Sequence, residues 1–125
     1  MSGVGTFLKE GNSLYAQSQF EEAVAAFRRG LEAHPDSQEL LLALGMAQMN
    51  GGKLEDALAT FEQVTAKAPD DPMGFTSKSM CLQRMDKIEE AEKAQAQARM
   101  LSWKQELKTN PNAPPPDDGP MPVHQ

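Results

Sequence analysis

The chain has 125 residues, of which 39% are apolar and only 6% aromatic, which allows one domain without a large central core. Its formal charge is −6, with no basic run anywhere, so phosphate backbones and anionic bilayers would be repelled. No apolar stretch approaches the roughly 20 residues that span a bilayer, and the opening MSGVGTFLKEGN has neither the basic start nor the apolar core of a secretory signal.

The spacing of apolar residues predicts six helices. The first covers about 6–17, where Phe7, Leu8, Gly11, Leu14 and Tyr15 recur at helical intervals. A break at AQSQF leads to a second over 20–33, carried by Phe20, Ala23, Val24, Phe27 and Leu31. Pro35 ends it, and Asp36 and Ser37 are placed to cap a third helix over 38–50. NGGKL separates this from a fourth over 54–67. Asp70–Asp71–Pro72 then reads as an acidic cap followed by a proline suited to a first turn, opening a fifth over 72–84. RMDKI precedes the last helix, over 87–107. In the three short breaks Gly52, Asp86 and, less comfortably, Ser18 fall where a positive φ is needed.

These helices are copies of one another. EEAVAAFRRGLEAHPDS at 21–37 returns 34 residues later as EDALATFEQVTAKAPDD at 55–71, taking Ala23 to Ala57 and Phe27 to Phe61. The same shift applied twice takes Ala23 to Ala91, Gly11 to Gly45 to Ser79, Phe7 to Leu41 to Phe75, and Phe20 to Leu54 to Ile88. Small residues at the first two sets let paired helices approach closely, and Phe27 and Phe61 are expected to fill the gap between neighbouring units. One such pair cannot bury its apolar face alone, so about three are needed for stability.

The period, LG at 44–45, the recurring Ala, the Phe four residues on and the closing Pro resemble the tetratricopeptide repeat family. The likeness covers residues 4 to about 101, and FLKEGNSLYAQSQFEEAVAAF matches best. The fold it implies is all-α: a solenoid of three helix-turn-helix units, at about 4–37, 38–71 and 72–105, with an extended C-terminal capping helix. The domain then spans 1–108.

The third unit departs from the pattern. Gln95 replaces the Phe, Arg99 the Leu31 equivalent and Trp103 the closing Pro, so the array ends there with a polar outer face, EEAEKAQAQAR. Met100, Trp103 and Leu107 then share a helical stripe that either folds against the last pair or offers a surface for homo-oligomer formation. Residues 109–125, rich in Pro, Asp and Gly, are expected to be a disordered tail. PNAP within it is a minimal PxxP match with no neighbouring Arg.

No constellation for catalysis is present, so the chain does not read as an enzyme and no cofactor or metal is implied. His34 sits beside a helix-ending proline, Cys81 occupies a small-residue position within a helix, and Gly51–Gly52 is a turn and not a phosphate loop. The acidic pairs, such as Glu21–Glu22 and Glu89–Glu90, recur at helix starts, where the helix dipole favours them. The lone cysteine cannot form an internal disulfide, and a cytoplasmic setting is the default expectation.

What remains is a surface. The resemblance implies that the first helix of each unit lines a concave face, which assigns to it Leu8, Asn12 and Tyr15 from the first unit. The second supplies Leu42, Ala43, Met46, Met49 and Asn50, and the third Met73, Thr76, Ser77, Met80, Gln83 and Arg84. Four of the chain's eight methionines fall on this face. Met is flexible and polarisable, which suits an apolar partner of variable shape. The family's carboxylate clamp for acidic chaperone tails needs two Lys, one Arg and two Asn. The matching positions here are Leu8, Asn12, Ala43, Met73 and Ser77, and only Asn12 fits. The expectation is therefore a non-catalytic adaptor, scaffold or co-chaperone-like module that binds an apolar peptide or helix of a partner protein. The alternatives are a self-assembling array and a secretion-type chaperone for an apolar export substrate.

Overall fold

Six α-helices build residues 3–116, the part of the chain that the computed structural model describes. They are α1 (Val4–Ala16), α2 (Phe20–Ala33), α3 (Gln38–Asn50), α4 (Leu54–Lys67), α5 (Pro72–Arg84) and α6 (Ile88–Thr109), and no strand occurs among the described residues. The expected boundaries hold to within two residues at every end, with α1 starting at Val4 and α6 running on to Thr109.

Each unit turns by the same local chemistry. Ser18 (φ 61°), Gly52 (φ 87°) and Asp86 (φ 63°) all take the left-handed conformation. The residue that follows donates its N–H to the carbonyl five positions back: Gln19 to Leu14 at 2.9 Å, Lys53 to Gln48 at 2.8 Å and Lys87 to Leu82 at 2.9 Å. The left-handed residue itself donates to the carbonyl three back in all three turns. This double bond closes helix C-termini and demands positive φ, which glycine supplies without strain. Between units the caps are side chains. Ser37 Oγ accepts from the Leu40 N–H at 3.2 Å, and Asp71 Oδ1 accepts from the Met73 N–H at 2.9 Å.

Within each of the first two units a ring replaces a missing Cβ. A Cβ on Gly11 would lie 2.2 Å from Phe27 Cε1, and one on Gly45 would lie 2.4 Å from Phe61 Cε1. Both rings are wholly buried. Phe27 and Phe61 therefore do more than the inter-unit filling expected of them: each is driven into the glycine of its own pair. Phe27 also belongs to a core cluster with Leu40, Leu44 and Ala47 of the next unit. In the third unit both partners change together. Gln95 brings no ring, so Ser79 fits opposite it and donates its hydroxyl to the Ala91 carbonyl at 2.9 Å.

The interfaces between units are complementary in a second way. A Cβ on Gly30 would meet Phe7 Cβ of its own unit at 2.8 Å and Leu40 Cδ1 of the next at 3.0 Å, whereas a Cβ on Gly74 would lie 2.9 Å from Val64 Cγ1. Positions 30 and 64 correspond under the repeat, as do 40 and 74. The first interface sets small against large and the second large against small.

Each helix packs on the next in sequence; α1 also touches α3 and α3 touches α5, but α2, α4 and α6 do not touch one another. The first helices thus form a close inner row while the second helices splay apart, so the stack curves around the α1–α3–α5 face. No helix among the described residues is long and apolar enough to cross a membrane.

The chain beyond α6 differs from expectation. Residue 109 is helical, and residues 110–116 are folded back, with Ala113 only 6% exposed. A tryptophan hydrogen bond, described below, holds what composition alone assigned to a disordered tail. The remainder of that stretch, 117–125, lies outside the described residues.

Two substitutions test this account. Gly45→Ala gains about 1 kcal/mol of helix propensity but overpacks Phe61, at a typical cost of 1–3 kcal/mol. A net loss of about 1 kcal/mol is expected in urea unfolding followed by circular dichroism, with Phe61→Leu restoring part of it in the double variant. Ser18→Gly relieves a left-handed serine on the surface and is expected to gain up to about 1 kcal/mol by the same measurement.

Candidate functional site

The inner row carries the candidate site. Asn12 and Tyr15 of α1 and Ala43 and Met46 of α3 line a depression of about 240 Å3 between the first two units. Met80 occupies the register of Asn12 and Met46 one unit further on. It is 36% exposed, and Met73, at the start of α5, is 56% exposed. Leu8 packs its side chain partly against the first core cluster, and Leu42 and Met46 pack partly against the second, leaving part of each toward solvent.

A hydrogen-bonded hub crosses the foot of this face. The Asn50 amide group donates to Tyr15 Oη and to the Met46 carbonyl, the latter at 3.0 Å. Its carbonyl oxygen accepts from Arg84 Nη1 at 2.9 Å. One side chain from each unit meets in this hub, and Tyr15 is held further by an edge-on contact with Phe20, their ring centroids 5.4 Å apart. Gln83 is exposed beside Arg84. All three members were named from the sequence as separate lining residues. Their spacing of 35 and 34 residues at the C-terminal ends of successive inner helices was the available signal that they meet.

Three assigned residues do not line the face. Met49 is 2% exposed and lies in a core cluster with Ala57, Phe61 and Cys81. It shares register with Tyr15 and Gln83, but α3 has neighbours on both sides, and the long thioether turns into the gap between α4 and α5. Ser77 is likewise buried, at 5% exposure. Thr76 belongs to a different depression, at the end of the stack.

A larger depression of about 510 Å3 lies on the opposite side, between α2 and α4 over α3. Its floor is closed by Thr60 donating its hydroxyl to Gln48 Oε1 at 2.6 Å, and Arg28, Glu32 and Asp56 stand at its walls. The splayed outer row produces it. Around the rim of the stack the ion pairs Arg29–Glu10 (2.6 Å) and Lys67–Asp36 (3.6 Å) are solvent-exposed and contribute little to stability.

Cys81 is fully buried, and its thiol donates to the Leu54 carbonyl at an S–O distance of 3.3 Å. Burial raises its pKa, and the positive charge of Arg84 partly opposes the rise. A buried thiol held neutral is a core group and not a nucleophile. Among the described residues no group of three or more His, Cys, Asp or Glu side chains is placed to hold a metal ion.

The sequence of residues 8–72 matches the model of the tetratricopeptide repeat family. Protein STIP1 homolog from Dictyostelium discoideum is 26% identical over 88 residues, which is 70% of this chain but only 16% of that relative's length. Among solved structures, the type III secretion translocator chaperone SycD of Yersinia enterocolitica superposes with a TM-score of 0.75 at 20% identity, covering 85% of this chain and 81% of that one. The first TPR of Spaghetti (RPAP3) bound to the HSP90 peptide SRMEEVD superposes with a TM-score of 0.68 at 19% identity, covering 88% and 81%. At these identities the structural likeness is one of fold.

The Cys81 environment predicts a pH dependence with a definite sign. The fold favours the neutral thiol, so this group's contribution is complete below its ordinary pKa of 9.0 and is lost as pH rises from there through the raised value. The stability difference between the wild-type chain and Cys81→Ala, from urea unfolding at a series of pH values, is expected to be constant up to about pH 8 and to narrow above about pH 9.

Proposed function

The chain belongs to the tetratricopeptide repeat family, and from that premise we propose that it is a non-catalytic protein-interaction module whose inner face holds an apolar segment of a partner polypeptide. The observation that carries the proposal is the placement of apolar side chains. Two of the four exposed large hydrophobic residues among those described, Met73 and Met80, belong to the inner row. Met80 continues the register of Met46, which with Ala43 lines the depression between the first two units, and Met73 stands at the start of the same helix. Exposed methionines on one curved face suit an apolar ligand, since each one covered contributes roughly 1.5–3 kcal/mol before ordering costs. The Asn50 hub supports the same reading by holding the three inner helices in fixed relation, so a ligand meets a pre-formed surface.

The Spaghetti domain was solved with an acidic peptide, and that chemistry does not transfer to this chain. Leu8, Ala43, Met73 and Ser77 stand where cations and an asparagine would be needed. Arg84, the one cation among the assigned inner residues, is already engaged by Asn50. Cytoplasmic adaptor or scaffold and secretion-type chaperone are two versions of the same apolar-groove proposal. They differ in the partner and not in the site.

Met73→Glu/Met80→Glu tests the proposal, because both side chains are exposed and the change leaves the core clusters intact. With a partner isolated on the wild-type chain from its native extract, the double variant is expected to bind at least about a hundredfold more weakly by titration calorimetry, about tenfold for each methionine, while its melting temperature stays within a degree or two. Undiminished binding by the variant would end the proposal, as would a partner whose minimal binding segment is acidic and free of apolar residues.

A further inference from the structure

The segment that follows α6 has a chemistry of its own. Pro111 cannot continue the helix, and Asn110 closes a turn around it: its carbonyl accepts from the Ala113 N–H at 3.0 Å and its Oδ1 from the Asn112 N–H at 3.2 Å. The chain reverses there and lies back along α6. The Ala113 carbonyl then accepts the indole N–H of Trp103 at 3.0 Å, and Ala113 itself is almost fully buried. Pro114 and Pro116 form part of the wall of a depression of about 230 Å3 whose other walls include Trp103, Arg99, Gln95 and Thr76.

This is the open end of the stack. Gln95 and Ala98, which both line the depression, are the repeat equivalents of Phe61 and Val64. In the second unit Val64 meets Gly74 of the next pair; in the third no helix pair follows among the described residues, and residues 113–116 lie over that face. The occupant suits the walls. Three consecutive prolines have no N–H, so such a segment offers only carbonyl acceptors, and the Trp indole offers only a donor. Its flat face packs well on pyrrolidine rings, and a proline run loses little entropy on docking because it is already extended.

We propose that the end face built around Trp103 is a binding site for a proline-rich segment, partly covered in this chain by its own residues Ala113–Pro116. The short turn at 110–113 gives the tethered segment an effective concentration in the millimolar range or above, so a free peptide does not displace it from the intact chain. The site opens to another proline-rich polypeptide only when the tether is released. This site is separate from the inner face and independent of what binds there.

Trp103 is the only tryptophan in the chain and reports on the contact directly. In the full-length chain, Ala113→Asp puts a charge into a buried position outside the helices, and Pro114→Gly/Pro115→Gly/Pro116→Gly removes the pyrrolidine rings from the wall of the depression. Each variant is expected to keep its helical circular dichroism, to shift Trp103 emission to the red and to increase its quenching by acrylamide. A synthetic peptide of residues 110–116, NPNAPPP, added at millimolar concentration, is expected to return the emission of both variants to the wild-type position and to leave the wild-type chain unchanged. Emission unaltered in the variants would overturn the proposal, as would a red shift that the peptide does not reverse. An equal response to a peptide with its prolines replaced by alanine would also overturn it.

Discussion

A phenylalanine ring pressed against a glycine is the contact on which the rest of the structure depends. Gly11 with Phe27 and Gly45 with Phe61 leave no space for even one methyl group between the two helices of a unit. That closeness sets how each hairpin packs. The packing of successive hairpins in turn brings α1, α3 and α5 into one touching row while the outer helices stand apart. The curved inner face is a consequence of that asymmetry. Where the chain gives up the ring, at Gln95, it also gives up the glycine, at Ser79, and there the array stops.

Most of the fold was legible because the determining interactions are local or repeat at a fixed interval. The capping roles of Ser37 and Asp71 and the positive φ at Gly52, Asp86 and Ser18 follow from a few neighbouring residues. The recurrence of Gly11, Ala23 and Phe27 at a constant offset made the pairing visible without any knowledge of distance. The site was less legible. Repeat register fixes the direction of a Cα–Cβ bond but not where three further rotatable bonds take a thioether. Tyr15, Met49 and Gln83 therefore share a register while one is half-buried, one sealed and one exposed. The folding back of residues 110–116 was illegible for a related reason. Their composition is that of a segment with no core of its own, and the contact that holds Ala113 comes from Trp103, ten residues away in sequence and on a different element.

The inner face combines two kinds of surface in a small area. Toward its foot, Tyr15 and Arg84 both bond to Asn50, whose amide has its donor and its acceptor ends occupied. Above them the methionines are left without comparable partners. Polar groups that bond among themselves have little to gain from a ligand, whereas sulfur and methylene groups facing water gain from any dry cover. The division explains why a face on an acidic protein is read as a place for apolar and not charged chains.

The alternation of bulk across the two unit boundaries has an evolutionary corollary. Gly30 faces Leu40, and Val64 faces Gly74. Transplanting the second hairpin in place of the first would bring Val64 against a leucine, and the reverse exchange would set Gly30, with Phe7 of its own hairpin beside it, against a glycine and lose the leucine contact. These modules are thus keyed like non-identical links: duplication or shuffling of one of them, the usual route by which such arrays lengthen, would require a compensating change on the adjoining surface before the new order could hold.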